Sequence, residues 1–70
     1  MKINNSSDFG AKLRERRKSL GYTQKDLSKY TGLSISFLSD LERGKKTAEL
    51  EKALYVANIL GLDVILTDRG

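Results

Sequence analysis

The sequence predicts an all-α fold of four helices, closed by a short C-terminal β-strand. Three observations predict it. Apolar residues recur at helical spacing on either side of the centre: Phe9, Leu13 and Leu20 before it, and Leu50, Ala53, Leu54, Ala57 and Leu60 after it. Residues 23–44 between them read as two short helices joined by a tight turn, with a glycine at each place where a helix must stop. Past Gly61, residues 63–68 (DVILTD) have strand propensity through Val64, Ile65, Leu66 and Thr67.

In chain order, residues 1–6 (MKINNS) are polar and read as a flexible arm. An arm that enters a minor groove needs clustered arginines, and only Lys2 is present. The first helix takes Ser7 or Asp8 as its cap and runs to Leu20, where Gly21 ends it and Tyr22 follows as an apolar contact. Lys12, Arg14, Arg16 and Lys18 lie mostly off the apolar stripe and read as a solvated face. Thr23 caps a second helix with Leu27 and Tyr30 inward, and Gly32 supplies the turn because it takes positive φ without steric cost. Ser34 caps a third helix that runs to Arg43, with Leu38 and Leu41 inward and Phe37 at the edge of the core. Gly44 ends it. This arrangement is a helix-turn-helix, motif residues 24–43.

Thr47 caps the fourth helix, whose inner stripe is Leu50, Ala53, Leu54, Ala57 and Leu60. Val56, Ile59 and Tyr55 widen its apolar arc beyond what burial on one face needs. Residues 7–62 thus form one domain and residues 63–70 a dimerisation strand. An isolated strand leaves backbone groups unpaired, and pairing with a second copy about a two-fold axis satisfies them. The other reading is a tail tucked against its own core.

Seventy residues allow one small domain, for which dimerisation is a useful source of stability. The absence of Cys and His excludes disulfides, the usual zinc sites and the usual general base. No phosphate-cradling glycine loop and no paired nucleophile appears, so neither an enzyme nor a cofactor or metal is expected. No apolar signal segment opens the chain and no run is long enough to span a bilayer, which reads as soluble and cytoplasmic, with no membrane partner. The charge is uneven. Residues 1–46 carry eleven Lys/Arg against five Asp/Glu, net +6, and residues 47–70 carry two against four, net −2. The basic half is the half with the helix-turn-helix, as a phosphate-binding face requires.

The third helix has an outer face of short hydrogen-bonding side chains. It can therefore lie against base edges without long stems holding it off. Ser34, Ile35, Ser36, Ser39 and Asp40 are the candidate base readers. Ile35 either touches a thymine methyl or is a partly covered surface residue; Asp40 accepts from a cytosine amine, is solvated, or repels phosphate. Thr23 and Gln24, at a helix N-terminus, and Arg43, Lys45 and Lys46, after the third helix, are the candidate phosphate contacts. With few Arg, Asn or Gln among the readers, DNA shape carries part of the specificity.

The pattern T-Q-x-x-L-(x)4-G-L-S-x-x-x-L-S-x-L-E-R-G over residues 23–44 resembles the XRE/Cro-type family of phage and bacterial repressors. The resemblance implies a lambda-repressor-like domain. It also implies a homodimer that represses transcription by covering a promoter on double-stranded operator DNA with an inverted repeat; the strand reading above places Val64, Ile65 and Leu66 in the dimer interface. It implies too that Arg17 pairs with Glu42 in a structural salt bridge, and that Gln24 braces the phosphate contact and reaches toward the recognition helix. The short length, the TAEL after Lys46 and the apolar tail are similar to the HipB-like antitoxins, which bind a HipA-like kinase toxin and autoregulate their operon. The alternatives are a stand-alone XRE-type repressor and a protein-interaction module with only weak DNA binding.

Overall fold

The computed structural model describes residues 1–70. Four helices make up the fold: α1 Ser6–Ser19, α2 Gln24–Thr31, α3 Ile35–Glu42 and α4 Leu50–Ile59. The core is small and aliphatic. Leu13 of α1, Leu27 of α2, Leu38 and Leu41 of α3, and Ala53, Val56, Ala57 and Leu60 at α4 converge in one cluster. Phe9, Tyr22, Leu33, Phe37 and Leu62 pack around it. Tyr22 and Leu62 each follow a left-handed glycine, Gly21 and Gly61, and fold back as the helix-ending motif requires.

Several boundaries and faces differ from the sequence reading. The cap of α1 is Asn5, not Ser7 or Asp8; its side chain accepts from the Asp8 amide at 2.8 Å. Ser6 is helical and donates its hydroxyl to the Gly44 carbonyl at 2.8 Å. Thr47 does not cap α4. A turn closed by the Ala48 amide on the Lys45 carbonyl intervenes, and Glu49 stands at the cap position without a side-chain cap bond.

On α2 the buried partner of Leu27 is Thr31, one turn on, whereas Tyr30 is 57% exposed and leans against Tyr22. Thr31 can be buried because its hydroxyl donates to the Leu27 carbonyl and accepts from the Leu33 amide. On α4 the inner face is Ala53, Val56, Ala57 and Leu60, while Leu50 is 69% exposed. Leu54 also falls outside the buried set. The apolar arc of α4 was wide enough for two faces, and the small residues Ala53 and Ala57 allow the close approach. Leu20 likewise ends up at the surface.

The predicted C-terminal strand is absent; all regular structure in the chain is helical. No backbone hydrogen bond involves residues 63–70. Val64, Ile65 and Leu66 are exposed. A strand exists only as part of a ladder, and this segment makes no backbone hydrogen bond with any other part of the chain.

The helices are held together by close approach. Gly10 of α1 is buried against the end of α3, where an added Cβ would stand 2.3 Å from the Leu41 carbonyl oxygen and 2.6 Å from that of Glu42. Arg16, read as solvated, is half-buried and donates from Nε to the Leu60 carbonyl at 2.9 Å. That bond ties α1 to the C-terminus of α4, where free carbonyls and the helix dipole favour a cation. Tyr55 ties α4 to α2 by donating its hydroxyl to the Thr31 carbonyl at 3.2 Å.

Candidate nucleic-acid interface

Two short helices cannot hold a fixed angle by themselves, so the turn between them is built with polar contacts. Gly32 takes φ 75° and its amide bonds back to the Ser28 carbonyl. The Ser28 hydroxyl donates to the Leu33 carbonyl at 2.6 Å. Ser34 then caps α3, its hydroxyl oxygen accepting from the Phe37 amide at 3.0 Å.

The far end of α3 is anchored below the surface. Glu42 accepts from Arg17 Nε at 2.7 Å, Arg17 Nη2 at 3.0 Å and Gln24 Nε2 at 3.1 Å. Arg17 Nη1 donates to the Tyr22 carbonyl at 2.8 Å. One buried guanidinium therefore joins α1, the α1–α2 turn and α3, and Gln24 adds α2. The bidentate bond to Glu42 raises the Arg17 pKa further; burial opposes the rise but does not cancel it. The predicted Arg17–Glu42 pair is thus formed, and Gln24 reaches α3.

With its inner face and its end secured, α3 exposes its N-terminal half. Ser34, Ile35 and Ser36 are exposed, and Ser39 and Asp40 are half-buried. The Ser34 oxygen is engaged as a cap, which leaves its hydroxyl hydrogen to donate outward. Ser39 and Asp40 are both engaged by Arg43, from Nη1 to Ser39 Oγ at 2.6 Å and from Nη2 to Asp40 Oδ1 at 2.7 Å. Lys45 Nζ lies 3.6 Å from Asp40 Oδ2. Lys46 is exposed and has no carboxylate within ion-pair distance.

At the start of α2, Thr23 and Asp26 form a capping box. The Asp26 amide donates to Thr23 Oγ1 at 3.0 Å, and the Thr23 amide to Asp26 Oδ2 at 2.9 Å. The bond from the Thr23 amide is the larger cause that holds the Asp26 carboxyl below its ordinary pKa, and the Thr23 side chain beside the carboxyl adds to it. Thr23 therefore spends both its amide and its oxygen within the chain. The amides of Gln24 and Lys25 have no protein acceptor and point from a helix N-terminus, where a phosphate oxygen is favoured.

Sequence reasoning missed the capping box, although the T-x-x-D spacing displays it. It missed Gly10 as well, although a glycine inside a helical pattern signals close approach. No local signal marks Arg16.

The geometry agrees with the proteins this chain resembles. The family described as helix-turn-helix matches residues 13–65. The chain is 36% identical over 69 residues to the uncharacterized HTH-type transcriptional regulator y4mF of Sinorhizobium fredii, across 99% of this chain and 91% of that protein. It is 40% identical over 63 residues to the transcriptional regulator ClgR of Mycobacterium tuberculosis, of which it spans 56%. Among solved structures it is similar to a HipB–O4 20mer complex, with a TM-score of 0.89, 23% identity, and coverage of 100% of this chain and 99% of that one. A HipA–HipB–O2–O3 complex gives the same TM-score, identity and coverage. At that identity the likeness to HipB establishes the fold. The family match over most of the chain, together with the y4mF relationship, shows that the chain belongs to the helix-turn-helix family of XRE-type, DNA-binding transcription regulators.

Proposed function

We propose that the protein is a homodimeric operator-binding repressor and the antitoxin of a toxin–antitoxin pair, binding a HipA-like kinase toxin and repressing its own operon. The observation that carries the DNA side is the exposed N-terminal half of α3 on a helix locked at its other end by Arg17, Gln24 and Glu42. A reading helix has to be presented rigidly, because base contacts depend on sub-ångström placement. Ser34, Ile35 and Ser36 meet base edges, with Ser39 and Asp40 flanking them. Lys45, Lys46, Arg43 and the α2 N-terminus at Thr23 and Gln24 face the phosphates. Two copies about a two-fold axis would fit half-sites about 34–36 Å apart or a multiple of that.

The exposed apolar side chains of Leu50, Val64, Ile65 and Leu66 support association with a second copy. The antitoxin role is supported by the fold shared with HipB over the whole chain, since HipB stands in complex with an O4 20mer in one of those structures and with HipA in another. The names of y4mF and ClgR favour a second reading, a stand-alone XRE-type repressor.

The test is binding to the DNA upstream of its own gene against scrambled duplex at two salt concentrations, with the number of chains per site measured. Specific, salt-sensitive binding by two chains supports the repressor; equal weak binding to both duplexes overturns it in favour of a protein-interaction module. Co-expression with the product of the adjacent gene separates the two repressor readings. Complex formation and relief of that product's toxicity support the antitoxin, and a harmless neighbour with no complex leaves the stand-alone regulator.

A further inference from the structure

We propose that Asp40 restrains phosphate binding: it occupies two cations of the DNA-facing surface and so suppresses sequence-independent affinity. The inference rests on the DNA-binding reading of α3. Asp40 is the one carboxylate on α3 that solvent reaches, because Glu42 is buried with Arg17. Arg43 does not project from the end of the helix. Its guanidinium folds back one turn, bonded to Ser39 Oγ at 2.6 Å and to Asp40 Oδ1 at 2.7 Å. The second carboxylate oxygen faces Lys45 at 3.6 Å. The backbone places that lysine there, since the Lys45 amide closes on the Asp40 carbonyl at 3.0 Å. Of the three cations that follow the recognition helix, only Lys46 stands outside this cluster.

A phosphate that takes Arg43 or Lys45 must displace the carboxylate and then sit beside it. Every duplex meets that cost, whatever its sequence. The carboxylate therefore lowers the phosphate-driven part of the affinity, and an operator has to make up the difference with base contacts.

The experiment measures binding of the full chain to a scrambled duplex between about 50 and 200 mM salt. Asp40→Asn keeps the side-chain shape and removes the charge; thermal melting checks that it folds, and surface pairs of this kind contribute little to stability. Asp40→Asn is expected to bind the scrambled duplex about tenfold tighter at the low end, with a salt slope steeper by about one unit, as one or two freed cations require. Introducing Asp40→Asn into an Arg43→Ala/Lys45→Ala background is expected to give no such gain. Unchanged or weaker binding by Asp40→Asn overturns the proposal. A full gain in the double-alanine background also overturns it, because the carboxylate would then be repelling phosphate directly. If the wild-type chain binds no duplex at all, the DNA-binding reading of this surface fails first.

Discussion

Arg17 and Glu42 lie 25 positions apart and meet through two hydrogen bonds of 2.7 and 3.0 Å, with side-chain exposures of 8% and 4%. The pair holds α3 against α1. Removing one partner leaves the other charge buried alone, so Arg17→Ala is expected to destabilise the fold by about 3–5 kcal/mol. The combined Arg17→Met/Glu42→Leu variant should recover much of that loss, because neither charge is then stranded. Urea denaturation of the three proteins checks both statements, and equal losses in the single and double variants would refute the second.

Gly10→Ala sets two effects against each other. Alanine in a helix interior is favoured by about 1 kcal/mol over glycine. The new methyl group would meet the Leu41 and Glu42 carbonyl oxygens well inside contact distance. Backbone cannot rotate away as a side chain can, so overpacking dominates, with an expected net loss of about 1–3 kcal/mol. A gain in the denaturation midpoint would show that α1 and α3 separate easily.

The capping box predicts an acid-sensitive contribution. Asp26 has a folded pKa below its ordinary value of 3.8, so its stabilisation is fully present above that value and fades as pH falls through the depressed one. Asp26→Ala should melt at a lower temperature than the wild type at neutral pH, and the gap should narrow below the usual carboxylate range. A gap that does not change with pH would mean that the charge plays no part.

Base and phosphate contacts should separate in binding assays. Ser36→Ala is expected to narrow the preference for operator over scrambled duplex about three- to tenfold while binding to scrambled duplex persists. Lys46→Ala should weaken both duplexes alike and reduce the salt slope by about one unit. An unchanged preference in the first variant would remove Ser36 from the readers.

Removing residues 64–70 should shift the protein toward monomer in sedimentation. Its unfolding should otherwise change little, because no backbone hydrogen bond involves that segment. A full dimer after truncation would assign the interface to the exposed side chains of α4, such as Leu50 and Ile59.

Local chemical signals located the two middle helices and the helix-ending glycines well, but misplaced the caps of α1 and α4. Thr23, Ser34, Gly21, Gly32, Gly44 and Gly61 mark caps and stops whose physics involves only neighbouring residues, and the structure has each in that role. Periodicity was a weaker guide to faces. Tyr30 and Leu54 are apolar at plausible inner positions, yet Thr31 and Val56 are buried instead. The choice depends on packing: the Thr31 hydroxyl is satisfied by the Leu27 carbonyl and the Leu33 amide, and Val56 shares the buried face of α4 with two alanines.

The sequence alone determined the helix-turn-helix, the basic half of the chain and the serine-rich outer face of α3, because caps, turns and charge act over a few residues. The Arg17–Glu42–Gln24 anchor was legible only through resemblance. Tertiary structure alone decided that Gly10 sits under α3, that Arg16 closes the end of α4, and that Asp40 takes hold of Arg43 and Lys45. It also removed the expected strand. Each of these depends on which groups the fold brings within a few ångströms of one another, and such proximity is a property of the packed chain rather than of any local pattern.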